Sequence, residues 1–581
     1  MKKLSLFLLL ALFIIVACKN EGEPPQQGPD SAVSNYLTVS LVTPKSAVGR
    51  AGEKYEDGKA EENHINSVRF FFFDGEGNPS KVSKQAATNT YRSYIDWIPT
   101  STDQSQGPVS GETVEKIVTA TLGINMPVTE ELPKLVVAVL NPSSDVLSLA
   151  GNPSLQQLRS QVYNYYDGLT DSNFVITNSV YAENGKSVDA TPIDGNFRET
   201  ADSAALHPLY IYVERVLARL DLSLGLESSA SLSSGEFIYK VSEKPYMVDG
   251  AEKDIYVKFL GWNVTATTTA SRLIKLISPQ WPSTLFADLE PWNISEFHRS
   301  FWGINPQEGQ FTYQYGTYDG IADGQLDPNA GNYATALTIP APGKSETVYL
   351  QENVAEYNQE QNGEGPAVPS KVILAAQLVD INGNPLTLAH WANRYYTYNG
   401  ALASMANSLN LYQKETSEGS TTYTQISPKY LQFVSANEIY PDGLPDDVAS
   451  YYVYAQLNDT AKVITWYNGN AESAAPYTTE EANAYILNRV NYAMVWNTGY
   501  SYYYFDIRHL GAKGNPGYFG VVRNHLYLAK VSSLTGLGTP VFKPNQVIYP
   551  EMPGYDDNVI TAVIRILQWR VVSQEYPLVW P

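Results

Sequence analysis

The first regular alternation of apolar and polar positions in the chain is Tyr36, Leu37, Thr38, Val39, Ser40, Leu41, Val42. Leu37, Val39 and Leu41 share one face, and Thr38 and Ser40 the other. That period of two predicts a half-buried strand, which Pro44 ends. Residues 68–73 form a solid apolar run, closed by Asp74, Gly75, Glu76, Gly77, Asn78 and Pro79, and predict a strand. Further strands are predicted over 117–122, 135–140 and 174–180. A second series covers 256–260, 347–350, 371–378, 451–457, 502–507, 525–531 and 562–572. Helical spacing is rarer. Leu155, Leu158, Val162 and Tyr165 predict one short helix over 154–166, and Thr478 with Glu481 forms a capping box ahead of Ala482, Ile486 and Val490. The alternation restarts after Leu206, His207 and Pro208, first at Leu209, Ile211 and Val213, then at Leu220, Leu222 and Leu224. The expected organisation is an N-terminal domain over 51–208 and a C-terminal domain over 209–581. Each is a pair of packed antiparallel sheets, with a few short helices in the whole.

The start of the chain reads differently. Lys2 and Lys3 precede an apolar run over 4–16, too short to span a membrane comfortably. Ile15, Val16, Ala17 and Cys18 then resemble a bacterial lipobox. Residues 1–17 are expected to be a signal peptide and Cys18 the acylated residue, with palmitate among its lipids, that ties the precursor to the outer membrane. Residues 19–34, rich in Gly, Pro and polar side chains, read as a tether, and 18–50 as a lipidated propeptide that carries the first strand. Gly49, Arg50, Ala51 and Gly52 follow in a stretch with little to pack, so the Arg50–Ala51 bond is an expected protease site.

Composition narrows the function. A net charge of −21 argues against binding a nucleic-acid backbone. Cys18 is the sole Cys, so no disulfide can form within the chain. No two of the six His lie three or four residues apart, which gives no support to a zinc site. Two stretches open like calcium loops, at Asp74 and Asp380, but Pro79 and Pro385 stand where the turn glycine belongs, and both read better as hairpin turns. No nucleophile, phosphate-loop or dinucleotide motif appears in a meaningful context. The expectation is a protein that is not an enzyme and uses no cofactor. The 42 Tyr and 10 Trp suit strand and core packing first, and a surface that stacks on sugars only as the alternative.

Several patches together resemble the type V fimbrillins, most of all the structural subunit of a minor fimbrium. They are Gly49 to Gly52; Leu135, Val136, Val137, Ala138, Val139, Leu140, Asn141; and Val213, Glu214, Arg215, Val216, Leu217, Ala218, Arg219. Further on come His298, Arg299, Ser300, Phe301, Trp302; Leu350, Gln351, Glu352, Asn353; Val521, Val522, Arg523, Asn524, His525, Leu526, Tyr527; and the closing Gln568, Trp569, Arg570, Val571, Val572. Residues 80–115 and 385–450 match no part of that family. The resemblance implies two transthyretin-like β-sandwich domains and an Arg-specific protease that cuts after Arg50. It implies displacement of the strand bearing Leu37, Val39 and Leu41 by a donor strand from another copy. The candidate donor is the C-terminal segment with Val563, Ile564, Ile566, Trp569 and Val571. The implied partners are further copies head to tail and accessory fimbrial subunits, in a fimbrium that serves adhesion at the cell surface. The alternatives are a surface-anchored glycan-binding lipoprotein and an accessory tip or anchor subunit.

Overall fold

The structure is a computed structural model that describes residues 33–44, 59–84, 90–100, 114–149, 151–164, 169–170, 173–183, 186–278, 281, 287–289, 301–306, 310, 312–322, 337–353, 368–510, 518–548, 562–568, 570–571 and 576–577. Cys18, Arg50, Ala51 and Trp569 lie outside the described residues, as do His298, Arg299, Ser300 and Val572.

The described chain is mainly β. The strands β1 (Val33–Pro44), β2 (Val68–Phe73), β3 (Val114–Met126), β4 (Leu135–Leu140), β5 (Ile176–Asn178) and β6 (Leu209–Arg215) belong to one nine-stranded sheet. Its order runs β3, β1, β6, β5, β4, β2, with the short strands Ser83–Lys84 and Tyr94–Trp97 at its two ends. β2 pairs antiparallel with β4 from Val68 opposite Leu140 to Phe73 opposite Leu135. Phe70, Phe71, Phe72 and Phe73 are all fully buried, as a continuous apolar run requires. Arg69 is the polar exception within that run. Its guanidinium donates to both carboxylate oxygens of Asp96, at 2.7 and 2.9 Å, and lies 3.9 Å from the Tyr94 ring centre. A buried cation is tolerated here because every side of it is matched.

The next strands are β7 (Leu217–Leu224), β8 (Tyr256–Thr265), β9 (Ser345–Gln351), β10 (Lys371–Val379), β11 (Tyr500–Asp506), β12 (His525–Ser533) and β13 (Ala562–Gln568). One six-stranded sheet carries β9, β7, β12 and β13 in that order, and a second carries β8, β10 and β11. Alternate residues of both sheets meet in one core: Leu220, Leu222 and Leu224 from β7, Trp262 and Val264 from β8, Leu374 and Leu378 from β10, Tyr527 and Val531 from β12. The opposite face of β10 is also covered, since Ile373 and Ala375 pack on Tyr318, Ile321 and Tyr502.

The two halves share a construction. The first strand of each sits between a long antiparallel neighbour and a parallel one: β1 between β3 and β6, β7 between β9 and β12. Each also carries the same turn. Asp74 accepts from Glu76 N and Asn78 N at 2.8 and 2.9 Å, and Asp380 accepts from Asn382 N and Asn384 N at 2.9 Å each. In both turns the fourth residue is a glycine with positive φ, Gly77 at 86° and Gly383 at 84°. The two stretches that open like calcium loops are thus hydrogen-bonded hairpin turns.

Two features differ from the sequence reading. Of the stretch expected as a helix over 154–166, Leu155–Arg159 is helical, with Ser154 and Gln157 forming a capping box, and 165–166 lie outside the described residues. Val162–Asn164 instead forms a strand that pairs with Ala270–Arg272, because the β-branched Val162 and the aromatic Tyr163 find a partner strand from the second half. The alternating stretch from Leu209, expected to open the second domain, is β6 of the first sheet. The chain passes to the second pair of sheets at Val216, where one residue separates β6 from β7.

A third core lies between β10 and β11, which are themselves direct neighbours in the sheet. The intervening residues form most of a seven-stranded sheet with Leu388–Trp391, Tyr492–Trp496, Tyr452–Leu457 and Leu431–Ser435 adjacent in that order. The helices Tyr398–Asn407 and Thr479–Val490 cover one face through Leu402, Met405, Ala482 and Ile486. The second helix starts as its capping box requires: Glu481 N donates to Thr478 Oγ1 at 3.2 Å and Thr478 N donates to Glu481 Oε2 at 2.8 Å.

Candidate functional site

β1 is the first element of the described chain. It pairs with β3 antiparallel along its whole length, from Val33 opposite Met126 to Pro44 opposite Val114, and with β6 parallel from Val39 opposite Leu209 to Val42 opposite Tyr212. Leu37, Val39 and Leu41 have no exposed surface at all. The polar face is enclosed too. Thr38 Oγ1 lies 2.9 Å from Thr121 Oγ1 and Ser40 Oγ lies 3.3 Å from Thr119 Oγ1, so each hydroxyl meets a partner on β3. Tyr36 and Arg198 exchange both backbone hydrogen bonds, at 2.7 and 2.9 Å, just before the helix Ala201–Ala205. Burying the three apolar side chains contributes roughly 5–9 kcal/mol before the cost of ordering the strand. Taking β1 away leaves β3 and β6 as facing edges with a gap one strand wide between them, lined by Leu122, Ala120, Val118, Leu209 and Ile211. Such a gap is a template for another strand.

At the other end of the chain, β13 pairs antiparallel with β12, with Lys530 opposite Val563 and Tyr527 opposite Ile566. Arg570–Val571 then pairs with His525 and Leu526. Val563, Ile564, Ile566 and Val571 therefore lie in strands of the chain's own second half, beyond β12 towards the edge of that sheet. The structure does not bring them near the β1 gap of the same molecule by pairing.

Between the two halves lies a buried network of charges. Arg523 is fully buried. Its Nε donates to Glu352 Oε2 at 2.9 Å, and its two terminal nitrogens donate to the carbonyls of Leu273 and Arg272 at 2.9 and 2.6 Å. The other Glu352 oxygen accepts from Gly303 N at 3.0 Å, and a Cβ on Gly303 would sit 2.4 Å from that carboxylate, so the close approach requires glycine. Burial alone would pull the Arg523 guanidinium down, but Glu352, Tyr163 and Glu214 reverse this and hold it above its usual range. Burial pushes the Glu214 carboxyl up, against the pull of Lys275, whose ammonium lies 3.3 Å away. Arg219 pairs with Asp221 at 2.6 Å and Glu62 at 3.2 Å, and Tyr349 donates to Glu62 at 2.6 Å. Arg215 reaches the Glu62 carbonyl, the Asn63 side chain and Asn524 Oδ1. Asn524 itself has φ 57°, a left-handed turn directly before β12. Trp281 packs on Trp302 with ring centres 4.7 Å apart and planes tilted by 30°, and both pack with Phe301 into the first core.

Residues that stand as separate patches in the sequence thus meet in space. Glu214, Arg215 and Arg219, Glu352, Arg523 and Asn524, Phe301 and Trp302 all lie at one junction, and together they fix the first half against the second. The sequence signal for it was present: charged residues inside otherwise apolar strands. Glu62 was not singled out, because a four-residue helix in a polar stretch, Ala60–Asn63, carries no apolar pattern. The geometry is that of a buried, charge-matched joint between the halves. Among the described residues no group of three His, Cys, Asp or Glu could hold a metal ion, and no helix is long and apolar enough to cross a membrane.

Comparison with known proteins gives a family match over the C-terminal region alone. Residues 494–575 match the family model described as major fimbrial subunit protein type IV, fimbrillin, C-terminal. No curated protein sequence matches the chain. Among solved structures, the chain is similar to a fimbrilin from Porphyromonas gingivalis, at 12% identity over 94% of this chain and 98% of that one, with a TM-score of 0.34. It is also similar to the tip fimbrial protein Mfa3 of the same organism, at 9% identity over 86% and 95%, with a TM-score of 0.28. The fimbrial anchor protein Mfa2 of that organism matches at 8% identity over 62% and 94%, with a TM-score of 0.22.

Proposed function

We propose that this chain, whose C-terminal region is that of a fimbrillin, is a structural shaft subunit of a cell-surface fimbrium that polymerises by strand exchange and supports adhesion. It is not an enzyme. The precursor is exported as a lipoprotein through Cys18 and held at the outer membrane. An Arg-specific protease cuts between Arg50 and Ala51. That cut frees residues 18–50, including β1, from the rest of the chain, and β1 leaves its place between β3 and β6. The C-terminal segment of a neighbouring copy, with Val563, Ile564, Ile566, Trp569 and Val571, enters the gap. Its backbone pairs with both edges and its apolar side chains replace Leu37, Val39 and Leu41. Head-to-tail repetition of this step gives an open filament, to which accessory fimbrial subunits add at the ends.

The observation that carries the reading is the enclosure of β1. A strand that precedes the expected cut contributes three fully buried side chains to the first core and pairs on both sides. A second support is the position of β13 beyond β12, where release costs the pairing with one neighbour and leaves the sheet's central pairs intact. The joint between the halves suits a subunit that must transmit force along a filament.

Removing residues 558–581 tests the reading. The expected product is a processed subunit with a folded first domain that stays monomeric. It should still accept the C-terminal segment of an intact copy, and so end a growing filament. Normal filaments built only of truncated subunits would dismiss the C-terminal segment as donor.

A further inference from the structure

The third core presents one edge that no other strand of the described chain pairs with. Tyr412–Ser417 and Ser420–Gln425 form an antiparallel hairpin, with Ser417 opposite Ser420 and Tyr412 opposite Gln425. Tyr412–Ser417 pairs on its other side with Trp466–Tyr467, so Ser420–Gln425 is the outer strand of this four-stranded sheet. The turn has two residues, Glu418 at φ 50° and Gly419 at φ 80°, the left-handed pair of a tight hairpin. Such a turn closes on a hydrogen-bonded pair, and hydrogen-bonded pairs then alternate along the ladder. Ile426 N donates to the Leu411 carbonyl at 2.8 Å, which fixes the phase: Ser420, Thr422 and Thr424 bond inward. The backbone N–H and C=O groups of Thr421, Tyr423 and Gln425 therefore point outward.

Exposed edges are normally blocked by charge, proline or brevity. Other edges of the described chain follow that rule. The opposite end of the same sheet is the two-residue strand Pro476–Tyr477, and short edge strands elsewhere carry Lys84, Asp96, Lys253 or Pro540. Where Leu431–Ser435 ends its sheet, Phe433 N donates to the Tyr398 hydroxyl at 3.5 Å. Ser420–Gln425 has none of these guards. It carries no charge and no proline, and its Thr and Tyr residues favour strands. Only Tyr423 is half-buried and the rest are exposed. The strand is already held from within, since Tyr423 meets Tyr467 edge-on at 6.2 Å and the Lys414 ammonium lies 5.9 Å from the Tyr423 ring centre. An ordered strand gives up little freedom on pairing.

The neutral edge also selects its partner. Two copies, each with a net charge of −21, repel over most of their surfaces, and a strand without charge is where they approach at least cost. We infer that Ser420–Gln425 pairs antiparallel with the same strand of a second copy, about a two-fold axis through Thr422. The register follows from the outward groups. Thr421 of each copy bonds with Tyr423 of the other, and Thr422 meets Thr422 as a non-hydrogen-bonded pair. A shift one way would set Tyr423 against Gly419, outside the strand. A shift the other way would call on Gln425, whose side-chain amide already donates to the carbonyls of Ala406, Asn407 and Leu409. The two Glu415, each opposite Thr422 in its own hairpin, stand three strand spacings apart, about 14 Å, where salt screens them. One strand pair buries less than the roughly 1,000 Å² that a stable interface needs, so single subunits should pair weakly. Repeated along two filaments it becomes a lateral bundling contact, a consequence that rests on the shaft-subunit reading, whereas the pairing itself does not.

The test is disulfide trapping on the full chain carrying Cys18→Ala, which removes the native thiol, and Arg50→Ala, which holds strand exchange out. Thr422→Cys puts one thiol on the axis, so mild oxidation should yield covalent dimers. Thr424→Cys is equally exposed, but its two thiols would stand about 14 Å apart along the strands and should give roughly tenfold less. Thr421→Pro removes an outward N–H and leaves the hairpin's own bonds intact. It should cut both the Thr422→Cys crosslink and the dimer seen by sedimentation velocity at about 200 µM by roughly tenfold. Equal crosslinking at 422 and 424 would overturn the inference, as would a dimer that Thr421→Pro leaves unchanged, or a parent chain that stays monomeric at that concentration. A monomeric parent whose Tyr423 N–H is protected from exchange only by an added Thr-rich peptide would make the edge a site for foreign strands, and would also overturn pairing between copies. Failure of the strand-exchange switch would look different: multimers larger than dimers, equal in all variants.

Discussion

Arg50→Ala is expected to give an intact, lipid-bound precursor that does not polymerise. The cause is the place of β1. While the chain is continuous, Leu37, Val39 and Leu41 are part of the same molecule as the gap they fill, and their effective concentration is far higher than that of a neighbour's strand. A donor strand from outside must bury comparable side chains and also meet the cost of association. It therefore cannot compete until the cut makes the loss of β1 irreversible. The effect should be all-or-none: long filaments from the cleaved chain, and none from the variant at equal expression. Sedimentation of surface extracts and the mobility of the protein on denaturing gels separate the two outcomes. Filaments of normal length built from uncut Arg50→Ala chains would remove the switch from the account.

Arg523→Ala is expected to destabilise the joint by about 3–5 kcal/mol, the usual cost of stranding one partner of a buried ion pair. Glu352 would lose its cation in a place with no access to water, and the carbonyls of Leu273 and Arg272 would lose their donors. Arg523→Lys should recover little, because a single ammonium cannot reach three acceptors arranged around a planar fork. Arg523→Met combined with Glu352→Met should cost less than either single change, since no charge is then left unpaired. Hydrogen exchange localises the effect. Protection should fall at 214–219, 271–275, 301–303 and 350–353 and persist in the third core, which contributes nothing to the network. Uniform loss across all three cores would mean that the joint is not a separate unit of stability.

The sequence made some of this legible and hid the rest for identifiable reasons. Val68–Phe73 and Lys371–Val379 announce themselves, because a strand covered on both faces is apolar at most positions, with Arg69, Lys371 and Gln377 as polar exceptions that each find a partner. The helix Thr479–Val490 is visible because its capping box and its apolar spacing agree. The strand Leu209–Arg215 is equally visible, but its alternation states only that one face wants burial. It does not say which sheet provides the cover, and so the restart of the pattern after Leu206, His207 and Pro208 pointed to a new domain. The third core was hidden because Tyr412–Ser417 and Ser420–Gln425 form a largely exposed hairpin with hardly an apolar face to read, although it bounds a buried cluster. The joint was half visible. Resemblance drew attention to Arg215, Glu352 and Arg523, while the pairing of Arg523 with Glu352, 171 positions apart, is a product of folding alone.

The central claim is that the C-terminal strand of one subunit fills the gap left by β1 in another. Disulfide trapping addresses it directly, since Cys18 is the sole Cys and is lost with the propeptide, leaving a clean background. Ala120→Cys places a thiol on β3 opposite the position of Val39, and Ile564→Cys or Ile566→Cys places one on the donor segment. Strands that pair side by side bring opposed residues within disulfide range. Oxidised filaments should then resist denaturation as a ladder of covalent oligomers that reduction collapses to monomer, and either Cys alone should give none. Crosslinks confined to single chains, within filaments that are otherwise intact, would contradict strand exchange at this gap.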